Sequence, residues 1–157
     1  MTETYEPPAD FLKGVINESL PLGGSSFGQA NLVRLIEMTS DANLANRDWA
    51  TLLLAQADLG DDLVQGALRT AADGSDSVVR EEAILGLTNR SAPEALSLVQ
   101  RELAGDVASI PIMEAAEELA DPRLIEAVRV FAADDDWIAE AARRAMEACS
   151  RGAAAAV

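Results

Sequence analysis

Apolar and polar positions along the chain follow a pattern that itself repeats. When residues 43–50 are placed over residues 76–83, a shift of 33 residues, an arginine, an acidic residue and an alanine coincide. A further shift of 33 and a last shift of 26 bring two more segments into the same alignment. Self-similarity at such a period is typical of proteins built from stacked helical units.

The first aligned position predicts where four helices begin. It holds residue types whose side chains accept hydrogen bonds from the free N–H groups at a helix start. Pro111, two residues after the third of them, suits a first turn because its missing N–H costs little there. The four predicted capping residues are Asn43, Asp76, Ser109 and Asp135.

The following positions predict one apolar face on each of these first helices. They recur at i, i+4 and i+8, which places them on one side of a helix. Alanine in the middle of the face would let another helix approach closely. The positions are Asn46/Val79/Ile112/Ile138, then Ala50/Ala83/Ala116/Ala142, then Leu54/Leu87/Ala120/Met146.

A second helix is predicted in each unit, over residues 61–71, 93–103 and 122–132. Pro93 and Pro122 open two of them. Their predicted apolar faces are Val64/Leu96/Ile125, Ala67/Val99/Val128 and Ala71/Leu103/Ala132. Upstream, residues 31–38 read as the second helix of an incomplete leading unit, and residues 8–18 are a candidate for its first helix.

Residues 76–87, with the sequence Asp-Ser-Val-Val-Arg-Glu-Glu-Ala-Ile-Leu-Gly-Leu, resemble the first helix of a HEAT-like repeat of the type also found in phycobilisome lyases. In that family a capping Asp precedes Val-Arg and an alanine follows at the helix contact. The resemblance implies an all-α fold, a short right-handed α-solenoid of helical hairpins. Met113 and Ala139 stand where the family has arginine, so no continuous Asp/Arg ladder is expected.

These patterns divide the protein into three parts. Residues 1–27 would cap the first unit or stay mobile, and residues 151–157 form a tail for which fraying is predicted. Between them lies the repeat domain, 28–150, with units at about 28–39 (partial), 43–72, 76–104, 109–133 and 135–150.

Composition limits the chemistry. The protein has no histidine and a single cysteine, Cys149, which excludes Ser/His/Asp and Cys/His nucleophiles and every His-ligated metal site. Packing explains Cys149 better than reactivity, since it lies among buried-type neighbours. Asp134–Asp136 lacks the glycine and distal glutamate of a calcium loop and is interpreted as a turn. We therefore expect no catalytic residue, no metal and no cofactor.

Charge limits the partners. With 12 basic and 27 acidic residues the formal net charge is −15, which repels nucleic acid and anionic membrane surfaces and favours a protein partner, which could be basic. The first residues are acidic rather than basic, and no apolar run approaches the roughly 18 residues of a membrane span, so a cytoplasmic location is predicted. Self-association into a homodimer stays open.

The predicted binding surface lies on the second helices, where polar residues point away from the apolar face. Each of the three second helices contributes one level of this surface, and each level has an arginine. Arginine is enriched in interface hot spots. Taken singly, each of these residues is better explained as plain solvated surface, and only together do they indicate a binding surface. The predicted partner-binding residues are Gln65, Arg69, Ser97, Arg101, Glu126 and Arg129.

Three functions fit the sequence. The first is a non-catalytic protein-binding module or adaptor. The second is an acidic inhibitor or immunity-type protein that neutralises a basic partner, favoured by ten acidic residues against Arg123 and Arg129 between Asp106 and Glu140. The third, implied only by the resemblance, is a prosthetic-group lyase-like enzyme.

Overall fold

The computed structural model describes residues 5–59, 62–133 and 137–155, and within these ranges the protein is all-helical, as predicted. A short 3₁₀ turn, Pro122–Leu124, leads into α8. No helix in these ranges is both long and apolar enough to cross a membrane. The helices are α1 Asp10–Ile16, α2 Ser26–Met38, α3 Leu44–Gln56, α4 Asp62–Ala72, α5 Ser77–Asn89, α6 Ala95–Leu103, α7 Ile110–Leu119, α8 Ile125–Phe131 and α9 Trp137–Ala155.

Polar side chains cap the starts of the helices in the repeated pattern. The side chains of Asn43, Asp76 and Ser109 accept hydrogen bonds from the backbone N–H three residues later, at 3.3, 3.1 and 3.5 Å. Each cap satisfies one of the N–H groups that a helix start leaves free. The three predicted starts are therefore confirmed, and the fourth, at Asp135, lies outside the described residues.

The aligned alanines lie buried among the first helices. Helix α5 packs between α3 and α7, and α7 packs against α9. A side chain added at Gly86 of α5 would place its Cβ 2.7 Å from the Cβ of Ala55 on α3, so glycine permits the close approach of these two helices. All four alanines of the column, Ala50, Ala83, Ala116 and Ala142, have no exposed surface, as predicted.

The second helices bury most of the predicted apolar faces but differ from them at single positions. Val64, Val99 and Val128 are fully buried, and Ala71 and Leu103 are buried as predicted, whereas Ala132 is only half-buried. Leu68 rather than Ala67 is buried on α4. On the two later helices the deepest positions are Ala95 and Leu124, whereas Leu96 and Ile125 are only half-buried.

Helix entry explains this difference. Helix α6 begins at Ala95, after a turn at Pro93, and the 3₁₀ turn precedes α8. A 3₁₀ turn advances about 120° per residue instead of about 100°, so it rotates the face that follows. The spacing of apolar residues in the sequence predicts which face of a helix is buried, but it does not show this rotation.

The N-terminal segment packs against the start of the array. Phe11 and Leu12 of α1 are buried, and α1 contacts α3. The ring of Tyr5 stacks on Trp49 at 5.6 Å between centroids. The Tyr5 hydroxyl donates to Asp48 at 2.9 Å.

The last helix continues beyond the point where fraying was predicted. Helix α9 extends through Ala155, so residues 151–155 are helical. Gly152 is the reason: a Cβ at this position would lie 1.9 Å from the carbonyl oxygen of Ala120, the residue that ends α7. The absence of a side chain lets the backbone of α9 lie directly against the end of α7.

Arg90 ties together the ends of two first helices. Its Nη1 donates to the carbonyls of Ala55 and Gly86, at 2.8 and 2.9 Å, and its Nη2 donates to those of Leu54 and Ala57. A guanidinium complements the partial negative charge at helix C-termini, here those of α3 and α5. Burial lowers the pKa of Arg90 from its ordinary value.

We expect Ala83→Asp to unfold the protein, because it forces an unpaired carboxylate into the contact between α3, α5 and α7. The loss in free energy of unfolding should be at least about 3 kcal/mol, measured by urea denaturation followed by circular dichroism. Ala30→Asp is the control, since Ala30 is exposed on α2. Equal midpoints for the two variants would contradict the alanine contact.

Candidate partner-binding surface

The first level of the predicted surface is an ion pair that joins α4 to the start of α6. Nε of Arg69 contacts the carboxylate of Glu94, and Nη2 of Arg69 donates to Oε1 of Gln65 at 3.2 Å. The hydrogen bond from Arg69 holds the pKa of Glu94 below its ordinary value. Arg69 keeps 46% of its side chain exposed. The guanidinium is thus ordered but still accessible.

The second level runs from α6 back to the end of α4. Nη1 of Arg101 pairs with Asp73 at 3.2 Å, and Nη2 donates to the carbonyl of Ala72 at 2.6 Å. Ser97 turns its hydroxyl to the carbonyl of Glu94, at 2.8 Å. Arg101 therefore caps the C-terminus of α4 as well as presenting a cation.

The third level is local to α8. Nη2 of Arg129 pairs with Oε1 of Glu126 at 3.1 Å, and both side chains are more than half exposed. An exposed pair one helical turn apart contributes little to stability.

An open groove connects the first two levels. It measures about 410 Å³ and lies between α4 and α6. Arg69 and Asp73, the residue that pairs with Arg101, therefore line the same groove. Glu126 and Arg129 do not line it. We call this the α4–α6 groove, lined by Arg69, Ala72, Asp73, Glu94 and Leu98.

Each arginine of the predicted surface has a carboxylate partner: Glu94, Asp73 and Glu126. The surface is therefore close to neutral in a protein of net charge −15. The excess of negative charge lies elsewhere on the molecule.

One part of that excess is a row of acids on the first helices. Burial, together with the negative charges of Asp48 on α3, Glu114 on α7 and Glu81, raises the pKa of Glu82 on α5 to about 7. The repeat alignment places Glu82 at the position of Trp49. The sequence analysis assigned no role to this position, so the partial burial of the carboxylate was not predicted.

A second arrangement missed from sequence is a two-point ion pair between Arg80 of α5 and Glu102 of α6. Nε and Nη2 of Arg80 contact the two carboxylate oxygens at 2.9 and 3.0 Å, with 22% and 11% of the two side chains exposed. Burial raises the pKa of Glu102, but the hydrogen bonds from Arg80 and Arg101 outweigh it, and the net shift is downward. The same pair raises the pKa of Arg80.

The repeat alignment carried a signal for Arg80. Nη1 of Arg80 donates to the carbonyls of Gly74 and Ser75, at 3.2 and 3.3 Å. Nη1 of Arg47, the aligned arginine, donates to the carbonyls of Asp41 and Ala42, at 2.7 and 3.2 Å. Both arginines therefore fix the turn before their own helix, six and five residues upstream.

The remaining candidates from sequence have these positions. Cys149 is buried, its Sγ lies 3.6 Å from the carbonyl of Ala116, and burial raises its pKa. Trp137, at the start of α9, is 67% exposed. Residues Asp134–Asp136 lie outside the described ranges, and the described ranges contain no group of three or more His, Cys, Asp or Glu arranged to hold a metal ion.

Comparison with known proteins places the fold only. The sequence matches no protein-family model and no curated protein. Among solved structures, the X-ray structure of YibA from Escherichia coli, a Northeast Structural Genomics Consortium target, is similar to this protein with a TM-score of 0.60 and 22% sequence identity. The similarity covers 88% of this protein and 54% of YibA, so the sequence spans about half the length of YibA.

Glu82 gives the stability a pH dependence of defined sign. From its ordinary value of 4.5 up to about 7, the folded protein keeps a proton that the unfolded protein has lost, so the free energy of unfolding falls as pH rises through this window and levels off above it. We expect Glu82→Gln to raise that free energy by about 1–3 kcal/mol at pH 8 and to change it little at pH 5.

Denaturant unfolding at the two pH values checks this expectation. Glu118→Gln on α7 is the matched control, because it removes the same charge from an exposed position. If both variants changed the stability equally at pH 8, the burial and charge environment described for Glu82 would be refuted.

Proposed function

We propose that this protein is a non-catalytic protein-binding module whose helices form a short right-handed α-solenoid of HEAT-like hairpins. In such arrays an extended surface, rather than a deep cavity, binds another macromolecule. The proposal is supported by the succession of contacts from α3 through α5 and α7 to α9, and by the repeated arginine geometry at Arg47 and Arg80.

The observation that carries the proposal is the α4–α6 groove, with the ordered Arg69 in its wall and Arg101 beside it, paired with Asp73. Arg69 and Arg101 are held by carboxylates and still expose 46% and 44% of their side chains. A side chain that is already ordered loses less conformational entropy on binding, and the planar guanidinium can stack and donate at the same time. Leu98 supplies apolar surface within the same groove.

We expect Arg69→Ala to weaken partner binding at least about tenfold, as for an interface hot spot. Arg144→Ala is the matched control, since Arg144 also joins two helices through a surface pair, with Glu117 at 3.4 Å, and is similarly exposed at 48%. Proteins captured from an extract of the source cells are identified by mass spectrometry, and their affinities for both variants are measured by calorimetry.

The binding results for the two variants decide whether the α4–α6 groove is the binding surface. A partner lost with Arg69→Ala and retained with Arg144→Ala supports the groove. A partner that binds both variants like the unmodified protein contradicts it. The same titration with Arg129→Ala decides whether the exposed pair on α8 belongs to the surface.

A second function, inhibition of a basic protein, is favoured by the acids around Glu82. Asp48, Glu82 and Glu114 repel one another across α3, α5 and α7, which adds to the effect of burial in raising the pKa of Glu82. A cationic partner would relieve that repulsion and replace the proton on Glu82. This function uses the first helices instead of the α4–α6 groove.

Salt distinguishes the two functions. For the inhibitor we expect the affinity to fall at least about tenfold between roughly 50 and 200 mM salt, because charge matching is screened over that range. We also expect Glu82→Gln to weaken binding, whereas Arg69→Ala has no effect. Salt-tolerant binding that depends on Arg69 would exclude the inhibitor function.

The lyase-like hypothesis gains little support from the structure. A covalent attachment would need a reactive thiolate, and the sulfur of Cys149 is buried with a raised pKa.

A further inference from the structure

Two clefts occupy equivalent places in successive units. Each lies between the first turns of a first helix and the end of the second helix that follows it. The Arg47 cleft, between α3 and α4, measures about 290 Å³, and the Arg80 cleft, between α5 and α6, about 640 Å³. Arg47 and Ala71 line the first cleft, and the equivalent residues Arg80 and Glu102 line the second.

The Arg80 cleft shows what this geometry binds. One edge of the Arg80 guanidinium, Nη1, fixes the preceding turn. The other edge, Nε and Nη2, holds both oxygens of Glu102. Such a two-point contact matches the spacing of a carboxylate and is stronger than a neutral hydrogen bond.

In the Arg47 cleft the carboxylate is missing. Nη1 of Arg47 fixes its turn in the same way, but Ala71 stands where the next unit has Glu102. The carbonyl of each accepts a hydrogen bond from the glycine three residues later, Gly74 at 3.0 Å and Gly105 at 3.1 Å. Within the described part of the protein Nε and Nη2 of Arg47 form no hydrogen bond, and neither is sealed from solvent. The cleft wall is rich in hydroxyl groups, those of Thr39, Ser40, Thr70 and Ser75.

We propose that the Arg47 cleft binds a carboxylate group of the partner protein, either a Glu or Asp side chain or the C-terminal carboxylate, through Nε and Nη2 of Arg47. The bound carboxylate takes the place that Glu102 occupies beside Arg80. The inference rests on the proposed protein-binding function, because it names a chemical group that the partner must supply, but its site is separate from the α4–α6 groove.

The acids around the cleft favour a carboxylate over a phosphate group. Asp76 lines the cleft while capping α5, and Asp41 lies beside the turn that Arg47 fixes. Hydrogen bonds from Asn43 and Asn46 lower the pKa of Asp41, so it stays charged. A group with one negative charge meets less repulsion here than one with two.

The first test supplies the missing carboxylate within the protein itself. We expect Ala71→Glu to melt about 2–4 °C above Ala71→Gln at pH 7, even though it adds a negative charge to an acidic protein. Ala71→Gln has the same length without the charge, so it controls for the larger side chain at a position that is 8% exposed. In the presence of Arg47→Gln this difference should disappear, and a difference that persisted there would refute the equivalence of the two clefts.

The second test measures the ligand itself. Propionate, the side-chain analogue of glutamate, is titrated into the unmodified protein while the Nε–Hε resonance of Arg47 is followed by NMR. We expect a saturable shift with a dissociation constant in the millimolar range, and its loss in Ala71→Glu, where the cleft is filled. Inorganic phosphate should bind at least about tenfold more weakly at about pH 7.5.

Two results overturn the inference. One is an Arg47 resonance that does not respond to propionate, or responds equally in Ala71→Glu. The other is phosphate binding tighter than propionate, which would assign the cleft to a different ligand. Either result leaves the proposed protein-binding function intact, because that function is tested at Arg69 of the α4–α6 groove.

Discussion

The close contact of α5 with its neighbours at Ala83 is the constraint on which the structure depends. Ala83 has no exposed surface, and α5 packs against α4 and α6 as well as α3 and α7. Few aromatic residues are available to fill space, since the whole sequence has 3 Phe, 2 Trp and 1 Tyr. Small side chains therefore let the helices approach closely, and leucine and isoleucine side chains rather than aromatic rings fill the space around them.

Arginine side chains bind backbone carbonyls at turns and helix ends, which the apolar core does not satisfy. Arg47 and Arg80 fix the turns that enter their helices, and Arg90 joins the carbonyl ends of α3 and α5. These contacts satisfy backbone carbonyls that would otherwise need water. In a protein of net charge −15 the few cations are thus largely committed to structure. The cations with remaining donors or exposed surface, Arg69 and Arg47 among them, carry the functional proposals.

The sequence predicts local features well because they depend on residues close together along the backbone. The caps at Asn43, Asp76 and Ser109 follow from residue type and spacing, and the alanine column follows from the repeat. Contacts between helices were not predictable in the same way. The first turns of α6 and α8 depend on how each helix is entered, and the Arg80 contact with Glu102 joins residues 22 positions apart. Of the candidate surface, the sequence located the arginines and Glu126 but not Glu94 and Asp73, the carboxylates that neutralise Arg69 and Arg101.

Native-state hydrogen exchange of the backbone amides probes the central position of α5. We expect amides in the middle of α5, around Ala83 and Leu87, to exchange only through global unfolding, whereas those of α1 and α8 exchange through smaller openings. The free energy of opening at Ala83 should then equal the global free energy of unfolding. Faster exchange in α5 than in the outer helices would contradict the dependence of the structure on the Ala83 contact.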